Sequence, residues 1–174
     1  MLRVKVDNID VALWVARLNV GFDIFIKKLL SINNKKCICQ AVRLDVVATW
    51  RHAVSAAIRA HKSLKTGRNI ALKPEIEYVL RLLGRRQISE ALKLASPENQ
   101  EPIIIICFGD EVKSCIKKVS ELNDVNILDD KPLLTLDEER AQRLINLYGL
   151  TENTPLEELV GRVLSAIIQL DLSQ

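Results

Sequence analysis

Lysine and arginine side chains are concentrated in one stretch of this chain, where they could neutralise phosphate groups. Between Arg51 and Arg86 the sequence holds nine cations and two acids, which gives +7, whereas the whole 174-residue chain carries +3. Clustered cations bind phosphates by charge neutralisation and counterion release. A solvated protein face has the same composition, so charge alone leaves both interpretations open.

The cations best placed to reach phosphates lie at one helix end and in two glycine turns. These are Lys62, Lys65, Arg68, Arg85 and Arg86. Such contacts would contribute affinity more than sequence specificity. Between the turns, Ile70 and Leu72 could offer an apolar surface to an unstacked terminal base. The cations converge on one edge only if the two turns lie near each other, and solvated connector residues remain the alternative.

Residues that an enzyme would need are sparse. His52 and His61 are nine positions apart on one predicted helix, so they face opposite sides and cannot share a metal. His61 falls on the apolar stripe, which favours a structural role. The stretch CFGDEV follows a strand but lacks the glycines of a dinucleotide loop and the lysine of a P-loop, so it predicts a tight turn. We expect no catalytic residue, cofactor or metal. A small enzyme acting on a nucleotide or RNA through Asp110 or His61 is the competing hypothesis.

Four cysteines lie in apolar segments without the paired spacing of a zinc ribbon: Cys37, Cys39, Cys107 and Cys115. We expect buried free thiols. Cys37 and Cys39 are expected on opposite faces of a strand, where they would neither bond to each other nor share a metal. A disulfide stays open for a hyperthermophilic source.

The composition, 48% hydrophobic and 27% charged, fits one globular domain over residues 1–174. No apolar run reaches the roughly 20 residues that cross a bilayer, and the N-terminus lacks the pattern of a signal peptide. These features predict a cytoplasmic protein with no membrane partner.

Hydrophobic periodicity predicts strands interleaved with helices. The run PIIIICF indicates a central strand covered on both faces, and CICQAVRL and two N-terminal segments indicate further strands. Helices are predicted from Thr49 to Lys65 and from Pro74 to Gly84, with others starting at Asp110 and at capping boxes that begin at Thr135 and Thr154. The predicted fold is α/β, a mixed β-sheet with helices packed around its central buried strand.

The last predicted helix has more apolar positions than one core-facing stripe requires. Leu164, Ile168 and Leu172 are the extra ones. A helix that is apolar on several sides is either mostly buried in its own protein or forms an interface with another protein. These three residues therefore predict a protein interface.

Motifs in the basic stretch resemble a known family. The alanine-rich helix after Arg51, the segment Gly67–Ala71, the segment Gly84–Ile88 and the following Glu-Ala-Leu resemble the kinase-binding small subunit of the KEOPS tRNA-modification complex, the TPRKB family, in its archaeal type. The similarity runs from about Gln40 to the end. The segment LASPENQEP departs from the family, whose members tend to have a glycine-containing ending there.

The resemblance implies a non-catalytic subunit of the machinery that installs threonylcarbamoyl adenosine in tRNA. Members of this family dock on the atypical kinase of the complex, which acts as an ATPase, and contact other KEOPS subunits indirectly. Archaeal members look like tRNA recruiters that hold the single-stranded acceptor end. On this reading the basic stretch meets tRNA, and Leu164, Ile168 and Leu172 meet the kinase.

Overall fold

The computed structural model describes residues 1–98 and 100–172, and the internal contacts of the chain form two compact units. The first unit comprises Met1–Leu44 and Ser96–Asp130. The second comprises Asp45–Ala95 and the chain from Lys131 onward. The single domain expected over residues 1–174 stays a prediction. None of the described helices is long and apolar enough to cross a membrane.

The first unit is built on a sheet of five described strands: β1 (Leu2–Val6), β2 (Ile9–Leu18), β3 (Cys37–Arg43), β4 (Ile103–Gly109) and β5 (Val125–Ile127). The strand order is β1-β2-β4-β3, and β5 also pairs with β2. Strand β4 lies between two neighbours and all seven of its residues are buried. The α/β class and the central buried strand are therefore confirmed.

Strand direction corrects one detail of the prediction. Every pairing among the described strands is antiparallel, rather than mixed. The turn between β1 and β2 has only Asp7 and Asn8, and so short a connection permits an antiparallel pair alone. Interleaved helices suggested parallel crossovers, but here the helices connect strands that are not paired in parallel.

Two helices, α1 (Phe22–Leu30) and α5 (Val112–Ser120), pack on this sheet. The turn before α5 requires Gly109, because a Cβ there would lie 2.2 Å from the Lys36 carbonyl oxygen. That oxygen instead accepts hydrogen bonds from the next two backbone amides, at 2.9 and 3.2 Å. The tight turn is confirmed. The Asp110 cap is not, since Glu111 occupies the cap position of α5 and makes no side-chain cap.

The cysteines are buried as expected, but they are not free thiols. Cys37 is bonded to Cys115, and Cys39 is bonded to Cys107. Cys39 and Cys107 are direct partners in the register of β3 and β4. The expectation of opposite faces for Cys37 and Cys39 was wrong, because residues two apart on a strand share a face. Both point into the core beneath α5.

The second unit is helical. A 3₁₀ turn, Leu44–Val46, leads into it, and its described helices are α2 (Trp50–Thr66), α3 (Pro74–Leu83), α4 (Ile88–Ala95), α6 (Lys131–Leu134), α7 (Glu138–Tyr148) and α8 (Leu156–Leu172). Helices α7 and α8 share a core that includes Leu144, Ile145, Leu159 and Val163.

The starts of α7 and α8 differ from the predicted capping boxes. The α7 cap is Asp137, whose carboxylate accepts a hydrogen bond from the Arg140 amide at 2.8 Å. The Thr135 hydroxyl donates instead to the Lys131 carbonyl, at 3.2 Å. Similarly, the Thr154 hydroxyl donates to Thr151. Each threonine closes a local turn before the helix, an alternative use of short hydroxyl side chains.

Candidate functional site

Helices α2 and α3 form an antiparallel hairpin, which decides where the predicted RNA contacts lie. The Ser63 hydroxyl donates to Glu77 at 2.9 Å near one end, and His52 Nε2 donates to the Leu82 carbonyl at 2.8 Å near the other. The Gly67 turn and the Gly84 turn are therefore separated by the length of α3. Ten residues at 1.5 Å each give roughly 15 Å. The seven predicted RNA contacts form two groups, not one cluster.

The first group lies at the end of α2 and in the loop after it. Lys62, Lys65 and Arg68 are exposed and Ile70 is half-buried. Leu72 is 96% exposed, the highest value among the large apolar side chains that the structure describes. We call residues 67–72 the Gly67–Leu72 loop. It presents one cation, Arg68, and one large apolar side chain, Leu72, to solvent.

A buried carboxylate holds this loop. Glu77 is fully buried, and its Oε2 accepts hydrogen bonds from the Ile70 and Ala71 amides at 2.8 and 2.9 Å. Its Oε1 accepts from the Ser63 hydroxyl at 2.9 Å and from Arg81 Nε at 2.7 Å. One side chain of α3 thus fixes the backbone of the loop.

Arg81 extends the same network to α8. Its guanidinium donates to the Arg68 carbonyl at 3.1 Å and to the Asp171 carboxylate. Asp171 also accepts from Arg59 Nε at 2.5 Å. Burial alone would raise the pKa of Asp171, but the two guanidiniums, that of Arg59 foremost, hold this pKa below its ordinary value.

The network engages two cations of the basic stretch in ion pairs. Arg59 and Arg81 belong to the basic stretch in the sequence, yet both are engaged with acids inside the unit. The spacing of Glu77 and Arg81, four residues apart on a helix buried on nearly all sides, was the signal that was missed.

The second group lies beside an open cleft of about 530 Å³. The cleft is lined by Leu83, Gly84, Arg85, Arg86, Tyr148, Ala166 and Gln169. Arg86 is exposed, whereas Arg85 is partly engaged, with Nη2 donating to the Leu147 carbonyl at 2.7 Å and Nε donating to Glu90 at 3.2 Å. Gly84 lets the backbone of α8 approach closely, since a Cβ at this position would lie 3.3 Å from the Ile167 Cα.

His52 is a structural residue behind this cleft. Its Nδ1 accepts from the Ala48 amide at 3.2 Å, while its Nε2 donates to Leu82. The Tyr148 hydroxyl donates to the same Leu82 carbonyl at 2.9 Å. Complete burial lowers the pKa of His52 to about 4, so the ring is neutral near pH 7. His61 is also buried, at 8% exposure.

The outer face of α8 carries the predicted protein contacts. Leu164 is half-buried, Ile168 is 43% exposed and Leu172 is 80% exposed. Their spacing of four places them on one stripe, which we call the α8 stripe. The opposite side of the helix buries Leu159, Val163 and Ile167.

The sequence matches the model of a family described as "Kinase binding protein CGI-121", over residues 19–170. The chain belongs to the CGI-121 family. The resemblance drawn from the glycine turns is thereby confirmed.

Two archaeal members of the CGI-121 family are similar to this chain. A protein of Methanocaldococcus jannaschii named "Regulatory protein Cgi121" is 28% identical over 135 residues, which are 78% of this chain and 84% of that protein. A protein of Pyrococcus abyssi named "KEOPS complex subunit Cgi121" is 31% identical over 122 residues, 68% of this chain and 64% of the relative.

In the described part of this CGI-121 family member, a sulfur-rich group and a cleft with three acidic residues have the side-chain types of a metal or catalytic site. Sulfur atoms of Cys37, Cys39 and Cys115 lie within 4.8 Å of one another, but disulfide bonding leaves no thiolate to bind a metal. Asp110 lines an open cleft of about 340 Å³ with Asp10 and Glu111. Two of these three carboxylates are engaged in ion pairs: Asp10 with Arg3 at 3.1 Å, and Glu111 with Lys36.

Proposed function

We propose that this chain is a non-catalytic regulatory subunit of a KEOPS complex, which binds the atypical kinase subunit and recruits tRNA by its single-stranded acceptor end. It acts in the cytoplasm, in threonylcarbamoyl adenosine formation, and contacts other KEOPS subunits indirectly. Membership of a kinase-binding family supports the first partner. The name of the Pyrococcus relative supports the complex.

The observation that best supports tRNA binding is the composition of the two ends of the α2–α3 hairpin. At one end, Lys62, Lys65 and Arg68 are exposed at the end of α2 and in the loop that follows, and Leu72 is exposed in the same loop. At the other end, Arg86 lies on an open cleft. Cations that meet phosphates beside apolar surface that meets an unstacked base suit single-stranded nucleic acid. Since the ends are roughly 15 Å apart along α3, an RNA bound by both must span more than one nucleotide.

The test compares intact tRNA with tRNA trimmed of its single-stranded end. For the double variant Arg68→Glu with Arg86→Glu, we expect weaker binding and a salt slope reduced by roughly 1.4 to 1.8, because about 0.7 to 0.9 is lost per phosphate contact. The matched control is Lys117→Glu with Lys118→Glu, which makes the same change in net charge on exposed positions of α5. Equal losses in both double variants would mean that only overall charge matters. If trimming leaves wild-type affinity unchanged, the acceptor-end proposal fails.

The kinase interface is tested on the α8 stripe. We expect Ile168→Arg to abolish co-elution with the kinase while leaving the circular dichroism spectrum intact, because the side chain is exposed and the substitution buries no charge in the free protein. An aliphatic anchor in an interface contributes about 1 to 3 kcal/mol. The control is Ile24→Arg, the same substitution at a 56% exposed isoleucine on α1. Co-elution of Ile168→Arg at wild-type level would move the interface elsewhere.

The alternative, a small enzyme acting on a nucleotide or RNA, makes a different prediction. It requires turnover by the purified chain without the kinase. His61 is buried and His52 is neutral and hydrogen-bonded on both ring nitrogens, so neither is set up as a general base. Co-elution with the kinase and no intrinsic turnover would favour the regulatory subunit.

A further inference from the structure

The Gly67–Leu72 loop has little packing of its own. Ala71 is buried at 1% exposure, but Leu72 and Arg68 face solvent. A loop with so few buried apolar contacts is expected to sample several conformations. Its shape must therefore come from hydrogen bonds. One lies within the loop, where Asn69 Nδ2 donates to the Ala71 carbonyl at 2.9 Å, and others come from neighbouring helices.

Two charged side chains bond to the loop backbone, and a third bonds to one of these two. Glu77 on α3 accepts from two loop amides, at 2.8 and 2.9 Å. Arg81 on α3 pairs with Glu77 at 2.7 Å and donates to the Arg68 carbonyl of the loop. Asp171, in the last turn of α8, accepts from Arg81 in turn. The chain of contacts runs from α8 to the loop backbone without a break.

Stability alone does not account for this arrangement. Glu77 is fully buried and Arg81 is 1% exposed, and well-packed hydrophobic residues in place of a buried ion pair often give equal or greater stability. What hydrophobic residues cannot do is bind two backbone amides and a carbonyl of a solvent-facing loop at once. The charges are the simplest means of fixing that backbone in one shape.

We infer that Asp171, Arg81 and Glu77 are positioning residues, which hold the Gly67–Leu72 loop in the shape that binds RNA and make the last turn of α8 part of its support. The inference rests on the proposed tRNA-binding function. It also has a regulatory consequence, because Asp171 directly precedes Leu172 of the α8 stripe. A protein that docks on the stripe orders the turn that holds the loop, and RNA affinity rises when that partner is bound.

The test is Asp171→Asn, chosen because electrostatics and positioning predict opposite results. Removing one negative charge should tighten RNA binding if charge alone operates. Positioning predicts the reverse, a loss of at least about threefold in affinity for intact tRNA. The salt slope should stay unchanged, because no phosphate contact is removed. Amide hydrogen exchange at Ile70 and Ala71 should also become faster.

The matched control is Glu158→Gln, which makes the same charge change on an exposed residue of α8 that pairs with Arg162. Asp171→Glu, which keeps the carboxylate, should recover most of the affinity. Unchanged exchange at the two loop amides in Asp171→Asn overturns the inference. So does an affinity equal to or above that of Glu158→Gln. Failure of the wild type itself to bind tRNA would instead refute the proposed function, and the two failures are thus distinguishable.

Discussion

Replacing Glu77 with alanine should strongly destabilise the second unit. The carboxylate accepts four hydrogen bonds, from Ser63, Ile70, Ala71 and Arg81. Removing one partner of a buried ion pair costs about 3 to 5 kcal/mol, and each orphaned buried donor about 1 to 3 kcal/mol. These costs overlap, because Arg81 keeps Asp171 as a partner. We expect a loss of about 4 kcal/mol, measured by urea unfolding followed by circular dichroism.

Two further variants separate the causes. Glu75→Ala removes a partly exposed acid from the same first turn of α3, so we expect a loss below about 1 kcal/mol. The double variant Glu77→Leu with Arg81→Met removes both charges, yet still orphans the Ile70 and Ala71 amides. Ala71 is buried and Ile70 is only half-buried, so we count about one buried donor and expect a loss of about 1 to 3 kcal/mol. A Glu77→Ala loss no larger than that of Glu75→Ala would refute the reasoning. A double variant as stable as wild type would show that the loop amides contribute nothing.

Three other features have measurable consequences. The pKa of His52 is near 4 in the folded protein and near 6.5 when unfolded, so the unfolded state binds more protons between these values. The contribution of His52 to the free energy of unfolding should be fully present above pH 6.5 and should fall by up to about 3 kcal/mol as the pH drops to 4. The pH profile should be flatter in His52→Gln, and the same slope in that variant would exclude His52 as the cause. Gly109→Ala should cost more than about 2 kcal/mol because of the Lys36 carbonyl, whereas Gly161→Ala, at a helical position with nothing within 4 Å, should stabilise by about 0.5 to 1 kcal/mol. Equal effects in urea unfolding would contradict the described turn. Alanine in place of all four half-cystines should lower the melting temperature but leave tRNA binding of the folded fraction intact, and a parallel loss of binding and bound zinc would oppose this.

Local patterns predicted much of the architecture. The continuous run PIIIICF predicted a buried strand, which the structure has at Ile103–Gly109, and Pro74 and Gly84 bracketed α3 at the right residues. The stripe on α8 followed from spacing as well. Each of these features depends on neighbours within a few turns of the chain, where periodicity and capping preferences are informative.

Features that depend on distant partners were missed. The pairing of Cys39 with Cys107 depends on the register of β3 and β4, which are separated in sequence by three of the second unit's six described α-helices. Asp171 lies 90 residues from Arg81, so no local pattern could connect them. The distance between the Gly67 and Gly84 turns stayed open for a related reason: both turns follow a helix, and only the antiparallel hairpin places them at opposite ends of α3.

The position of β4 in the sheet has a consequence for synthesis on the ribosome. Strand β3 pairs with β4 and not with β2, so among the described strands it has no pairing partner until Ile103–Gly109 has been made. About 60 residues separate the two strands, which corresponds to roughly 3 to 12 s of translation at about 5 to 20 residues per second. During that interval β3, which carries Cys37 and Cys39 as thiols, stays unpaired, while the helices of Asp45–Ala95 can already form from local contacts. Capture by chaperones and oxidation to a non-native disulfide are therefore favoured in this interval, before β4 emerges.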